Sequence, residues 1–153
     1  LSVSMKPWAV QTSLLAICTL IFTGCPRSVE LNLHNATTST ISVSVNGQRK
    51  LIASNHEISI EQKNNSHGFE RDAQGFELLY VMKGSEKFCF RVNFSGVPDR
   101  YFGPGTNRDS RLVFVENGEM YVTPFDSSLA HSSAKTASML KREPSLPRCQ
   151  KPA

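Results

Sequence analysis

The alternation of side chains in EKFCFRVNFS, residues 86–95, constrains the fold more than any other feature of the sequence. Apolar residues occupy every second position from 88 to 94, and the residues between them are a cysteine and two polar residues. A period of two is typical of a β-strand with one face buried in a core. Three of the four apolar residues are phenylalanines, which indicates core packing rather than a ligand site.

The segment before this strand, residues 76–83, is its predicted hairpin partner. A two-residue turn between them sets Val81 opposite Phe88 and Leu79 opposite Phe90, which completes the inner face. The apolar residues of the outer face are Phe76, Leu78, Tyr80 and Met82. An apolar stripe on the outer side of a sheet needs a cover.

A second hairpin is predicted at Asn46-Gly47, because this dipeptide readily adopts the positive φ angles of a tight turn. A two-residue loop would set Lys50 opposite Val43 on the inner face. A three-residue loop with a glycine bulge instead pairs Leu51 with Ile41. We favour the three-residue loop, because the alternative buries a charge.

A third hairpin is predicted at Asn117-Gly118. A two-residue loop there pairs Val115 with Met120 and Phe114 with Tyr121. Both faces of the two strands are apolar, which predicts that the pair lies inside a sheet rather than at its edge.

The chain is 153 residues long and 39% hydrophobic, which suits one globular domain with a modest core. The remaining strands are predicted at residues 29–35 and 56–61. Seven to eight short strands separated by turns predict an all-β fold, either an antiparallel β-sandwich or a small barrel. Residues 127–153 are rich in Ser and Ala and then in Pro, which predicts an extended tail.

The amino-terminal segment is predicted to be a processed leader. Residues 14–22 (LLAICTLIF) are continuously apolar and follow Lys6. That run is too short to span a bilayer, which takes about 20 residues, and has the length of a signal peptide's central region.

The end of this leader, Phe22-Thr23-Gly24-Cys25, resembles the lipobox of bacterial lipoproteins, although Phe22 departs from the usual Leu, Val or Ile. The resemblance implies cleavage before Cys25, attachment of diacylglycerol to its thiol and acylation of the new amino terminus. Because Pro26 follows rather than Asp, it further implies an outer-membrane lipoprotein facing the periplasm in a Gram-negative cell. The alternatives are a plain secretory signal, with Cys25 left for a disulfide, and an uncleaved anchor.

The domain organisation that follows is a signal peptide at residues 1–24, a β-domain at residues 25–126 and the tail at residues 127–153. If Cys18 leaves with the leader and Cys25 is acylated, the remaining cysteines are Cys89 and Cys149. An oxidising compartment favours a disulfide between them. Such a bond would lay the tail across the apolar stripe of residues 76–82.

No sequence motif indicates catalysis, a metal or a cofactor. The four histidines are His34, His56, His67 and His131, and none has the close paired spacing of a metal site. No motif places a nucleophile beside a base. Glu70 and Asp72, close to His67, could act as an acid and a base only if burial separated their pKa values, and we expect a solvated loop instead.

The formal net charge of +4 comes from basic residues scattered among acidic ones, which argues against a nucleic-acid partner. Tyr101 and Phe102, in a loop framed by Gly and Pro, are the best candidates for a recognition loop, unless they fold back onto the core. We therefore expect a lipid-anchored β-domain that serves as a non-catalytic binding or structural module. The alternatives are a periplasmic inhibitor or chaperone-like partner of an envelope enzyme and a hydrolase.

Overall fold

The computed structural model describes residues 29–45, 48–62, 70–104, 109–125 and 139–149. Strands form where the sequence pattern predicts them. Their bounds are β1 Val29–Asn35, β2 Ile41–Val45, β3 Gln48–Ile52, β4 Glu57–Gln62, β5 Leu78–Lys83, β6 Glu86–Arg91, β7 Ser110–Phe114 and β8 Met120–Thr123. The loop before β7 contains a 3-10 turn at Asp99–Tyr101.

The strands form two four-stranded sheets that pack as a sandwich and do not close into a barrel. Sheet A has the order β4-β1-β7-β8, and sheet B has the order β3-β2-β5-β6. This confirms the all-β sandwich prediction. The pairing is antiparallel except between β1 and β7, which run parallel in the centre of sheet A.

The core lies between the sheets and is built from residues that alternate along every strand. Its fully buried side chains include Leu31 and Leu33 of β1, Leu79 of β5 and Phe90 of β6. The Phe114 ring contacts the Phe90 ring edge to face, with 6.1 Å between centroids. The aromatic residues of β6 are therefore core residues, as their period of two predicts.

The β5–β6 hairpin has the predicted register. Leu79 pairs with Phe90 and Val81 pairs with Phe88. All four side chains point into the sandwich, so this hairpin supplies the inner face of sheet B.

The predicted three-residue loop between β2 and β3 is wrong. Val43 pairs with Lys50 and Ile41 pairs with Ile52, as a two-residue loop requires. The objection that Lys50 would be buried does not apply, because β3 is the edge strand and Lys50 is exposed. This register buries Ile52 instead and leaves Leu51 67% exposed on the outer face.

The predicted two-residue loop between β7 and β8 is also wrong, since Phe114 pairs with Met120 and Val113 with Tyr121. The turn places Gly118 at φ +79°, and its N–H donates to the Val115 carbonyl at 2.9 Å. This is a three-residue loop with a glycine bulge. Gly118 is required sterically, because a Cβ there would lie 2.3 Å from Cε1 of Phe88.

β8 forms the edge of sheet A, contrary to the predicted interior position. The apolar outer face of β7 and β8 has a different cover, a second cluster of buried side chains. Its members are Ala36, Val113, Val115, Tyr121 and Leu140. Leu140 belongs to the tail, so the tail supplies part of this cover.

Residues 144–149 of the tail bridge the edges of both sheets. The Val122 N–H of β8 donates to the Pro144 carbonyl at 2.7 Å, and the Arg91 N–H of β6 donates to the Pro147 carbonyl at 2.9 Å. The tail therefore closes the side of the sandwich formed by β6 and β8, which we call the β6/β8 flank. The opposite side, formed by β3 and β4, is the β3/β4 flank.

Candidate functional site

The outer face of sheet B contains a trough of about 320 Å³. It forms because β2 contributes two small serines to this face, while the neighbouring strands contribute longer side chains. The residues that line it are Ser42, Ser44, Arg49, Glu70, Tyr80, Met82 and Lys87. Strands β2, β3, β5 and β6 and the segment before β5 all contribute to this one site.

Ser42 and Arg49 form one wall of the trough. Ser42 is only 3% exposed, and its Oγ accepts a hydrogen bond from Arg49 Nε at 2.8 Å. A guanidinium group only donates hydrogen bonds and stays protonated. It therefore cannot take a proton from the Ser42 hydroxyl, so this pair does not activate a nucleophile.

Tyr80, Glu70 and Lys87 form the other wall. Burial raises the pKa of Tyr80, and its hydrogen bond to the Glu70 carboxylate raises that pKa further. The phenol therefore stays protonated and donates. Lys87 Nζ lies 4.4 Å from the centroid of the Tyr80 ring, a cation–π contact. The trough combines two cationic side chains, one carboxylate and several hydroxyl groups.

The described residues of the tail make their backbone hydrogen bonds to β6 and β8, along the edges of the sheets, and not to the strand that carries the apolar stripe predicted on this face. Leu78, Tyr80 and Met82 are half-buried. Cationic side chains of β6 provide part of the cover instead, with Lys87 above Tyr80 and the Arg91 guanidinium 5.5 Å from the centroid of the Phe76 ring. Long basic side chains cover apolar surface with their stems and keep their charge in water.

The carboxylates weighed as catalytic candidates lie in different environments. Asp72 closes the turn before β5, where its Oδ1 accepts from the Gln74 and Phe76 amides at 2.9 and 3.0 Å. Its Oδ2 lies 2.7 Å from Arg91 Nε in an ion pair. Asp72 is thus a structural residue, whereas Glu70 lies in the trough. His67 lies outside the described residues.

Tyr101 is turned towards the core and is 5% exposed. Its hydroxyl donates to Glu143 Oε2 of the tail at 2.6 Å. Phe102 is half-buried, and its ring lies 5.6 Å from that of Phe94. Both aromatic residues therefore fold back onto the core, which was the alternative to an exposed recognition loop.

Among the described residues, no three His, Cys, Asp or Glu side chains come close enough to hold a metal ion. His34 is buried in β1, and the Nδ1 of the exposed His56 lies 2.9 Å from the Ser54 carbonyl oxygen. His131 lies outside the described residues. In the part of the chain that the structure describes, no helix is long and apolar enough to cross a bilayer.

Cys89 and Cys149 are joined in a disulfide bond, with 5.4 Å between their Cα atoms. The Cys149 N–H also donates to the Cys89 carbonyl at 3.0 Å, so the backbones run side by side there. This confirms the predicted pairing. Cys25, the predicted lipidation site, lies outside the described residues.

Comparison with known proteins gives no family assignment. No family model, no curated protein and no solved structure matches this chain. We therefore choose the trough as the candidate site from its shape and its lining residues alone. The sequence did not reveal it, because Arg49 and Lys87 are far apart in the chain and converge only once β2 and β5 pair.

Proposed function

We propose that this chain is a lipid-anchored, non-catalytic binding module of the bacterial cell envelope. The trough on sheet B is its binding site, and the ligand carries a carboxylate or phosphate group. Arg49 and Lys87 both line the trough, and Glu70 is the one carboxylate beside them. This excess of positive charge is the observation that carries the proposal.

The chemistry of the trough favours binding of an anionic group. Arg49 presents a planar set of donors suited to carboxylate or phosphate oxygens, and Lys87 adds a second positive charge. The Ser44 hydroxyl supplies a further donor beside them, whereas the Tyr80 hydroxyl already donates to Glu70. Since Ser42 is bonded to a guanidinium group, the site offers donors but no activated nucleophile, which supports a non-catalytic role.

The export part of the proposal rests on two observations. The leader ends in a sequence that resembles a lipobox, with Cys25 at the modified position. The disulfide between Cys89 and Cys149 suits an oxidising compartment. An inhibitor acting through an exposed aromatic loop has less support, because Tyr101 is buried.

The trough can be tested with the full chain in detergent micelles and with acetate or inorganic phosphate as the probe. Either anion should shift the backbone amide resonances of Ser44 and Lys87 in NMR spectra, and Lys87→Met should reduce the shifts. Lys141→Met, which removes an exposed charge from the tail, serves as the matched control. Equal shifts all over the surface, or none at all, would refute an anion site.

The anchor is tested separately by mass spectrometry of the protein made in a bacterial host. The expected mature species begins at Cys25 and carries acyl chains. An intact leader, or an unmodified amino terminus at another residue, would overturn the anchor without bearing on the trough.

A further inference from the structure

Sheet B carries basic side chains that form no ion pair among the described residues. Arg49 and Lys87 line the trough on its outer face, and Lys50 is exposed at its β3 edge. Elsewhere in the strands, Arg91 is paired with Asp72 and Arg111 with a glutamate of β4. The unpaired basic residues of the strands are therefore concentrated on one side of the sandwich.

The outer face of sheet A carries the opposite charge. Glu30 and Glu61 are exposed there and lie directly opposite each other in the β1–β4 register. Asp109 adds a third carboxylate, since its Oδ1 accepts from the Glu30 N–H at 2.9 Å. The sandwich therefore has a basic face and an acidic face. A negatively charged surface attracts the first and repels the second.

One end of the sandwich lies next to the proposed anchor, a step that rests on the proposed function. β1 begins at Val29, four positions after Cys25. An extended chain spans at most about 14 Å over that length, so the lipidated residue holds the start of β1 close to the membrane surface. We call the end of the sandwich where β1 begins the anchor end.

One wall of the trough lies towards the anchor end. At the far end, Nδ2 of Asn35, the last residue of β1, donates to the carbonyl of Ile52, the last residue of β3, at 3.0 Å. Both strands therefore begin at the anchor end. Arg49 is the second residue of β3, and it pairs with Ser44, the last but one residue of β2. This part of the trough comes within reach of lipid headgroups when the outer face of sheet B tilts towards the membrane.

We propose that the trough binds the phosphate group of an anionic phospholipid in the membrane that holds the anchor, with the outer face of sheet B turned towards that membrane. A phosphate group presents the oxygens that a guanidinium group binds. Each basic side chain near an anionic membrane surface adds to the attraction. Because the anchor already confines the domain to this surface, the weak attraction of a few charges is enough to select one orientation. Leu51, which is 67% exposed on the same face, meets the apolar boundary of the headgroups.

Four amides at matched positions in the two sheets report the orientation. Ser44 and Glu61 each lie one residue from a strand end at the anchor end, whereas Leu51 and Ile58 each lie one residue from a strand end at the far end. The acylated protein is placed in nanodiscs of phosphatidylglycerol and phosphatidylcholine that contain a lipid with a gadolinium chelate as its headgroup. Paramagnetic broadening should be several-fold stronger at Ser44 than at Glu61, and stronger at Leu51 than at Ile58.

Removal of the charges should remove this difference between the sheets. Lys50→Met combined with Lys87→Met should bring the broadening at Ser44 close to that at Glu61, as should nanodiscs of phosphatidylcholine alone or added salt. Lys141→Met, which removes an exposed charge from the tail, is the matched control and should leave the difference unchanged. Circular dichroism checks that each variant is folded.

Equal broadening at Ser44 and Glu61 in the wild type would overturn the headgroup proposal, as would stronger broadening at Glu61 or a difference that the double variant leaves unchanged. If acetate or inorganic phosphate still shifts the amides of Ser44 and Lys87 in that case, the trough is an anion site for a soluble ligand and the proposed function stands. If neither anion shifts them, the proposed function fails as well. A mature protein without acyl chains, which mass spectrometry identifies, would remove the anchor and overturn this inference with it.

Discussion

The β6/β8 flank is closed by the chain's own tail, whereas the β3/β4 flank exposes two charged strand edges. On the first flank the tail makes backbone hydrogen bonds to both sheets and is joined to β6 by a disulfide. On the second, Arg49 and Lys50 are exposed on one edge and Glu61 on the other, where Glu57 is paired with Arg111. The comparison shows that the tail cross-links the two sheets on one side, and that the edges on the other side pair with no further strand among the described residues.

The same contrast appears in the side chains. Tyr101, Leu146 and Arg148 all tie the tail to the β6/β8 flank. Tyr101 bonds to Glu143, Leu146 joins the core cluster, and Arg148 lies about 5 Å from the rings of Phe88 and Phe90. The most exposed apolar side chain on the other flank is Leu51, at 67%. Substitutions should therefore separate the two flanks by their effect on stability.

The largest effect is expected for loss of the disulfide. Cys89→Ala combined with Cys149→Ala should lower the free energy of unfolding by roughly 4 kcal/mol, because the bond closes a loop with a sequence separation of 60 residues. Urea unfolding of the full chain measures the change. A loss below about 1 kcal/mol would contradict the view that the tail secures this flank.

The next effect is expected at Gly118, in the turn that leads into β8 on the same flank. Gly118→Ala combines a positive φ of +79° with a Cβ only 2.3 Å from Phe88 Cε1, and should cost on the order of 2–3 kcal/mol. Gly84→Ala is the matched control, because Gly84 also has a positive φ but no atom within 4 Å of the added Cβ. Equal losses at the two glycines would mean that contact with Phe88 is unimportant.

A smaller and pH-dependent effect is expected at Tyr121 of β8. Its hydroxyl donates to Glu119, and this hydrogen bond, with burial and the carboxylate charge, raises the pKa of Tyr121 to about 12. Tyr121→Phe should cost about 1 kcal/mol at neutral pH. Because the raised pKa stabilises the folded state only while the phenol is protonated, the wild-type advantage should be lost as the pH rises from 10 to 12. An advantage that persists at pH 12 would exclude this hydrogen bond as its source.

The smallest effect is expected on the β3/β4 flank. Leu51→Ser should change the free energy of unfolding of the monomer by no more than about 0.5 kcal/mol, since the side chain is largely in solvent. Thermal unfolding of the full chain is the measurement. A loss above about 1 kcal/mol would show that Leu51 is covered in solution.

Strand positions could be predicted from the sequence because they depend on the local alternation of apolar and polar side chains. The disulfide could be predicted because only two cysteines remain once Cys18 and Cys25 are assigned to the leader and the anchor. The period of two in residues 86–95 identifies β6 and its inner face, and the oxidising compartment implied by the leader pairs Cys89 with Cys149. The β5–β6 register was also predictable, since it sets each inner apolar residue of β5 opposite an inner apolar residue of β6.

The registers of the two Asn-Gly hairpins could not be predicted, because the same dipeptide fits a two-residue loop and a glycine-bulge loop. The choice depends on contacts distant in sequence. Gly118 lies against Phe88 of the other sheet, and Lys50 is tolerated on the inner face because β3 is an edge strand. The parallel β1–β7 pair and the trough likewise depend on which strands become neighbours.

The central claim, that the tail closes the β6/β8 flank, is tested most directly by hydrogen exchange at two amides. The N–H groups of Val122 and Arg91 donate to tail carbonyls, at Pro144 and Pro147. In the oxidised full chain both should exchange as slowly as the Asn35 amide, which donates to His56 away from the tail. Exchange of Val122 and Arg91 at the rate of exposed amides, while Asn35 stays protected, would contradict the account.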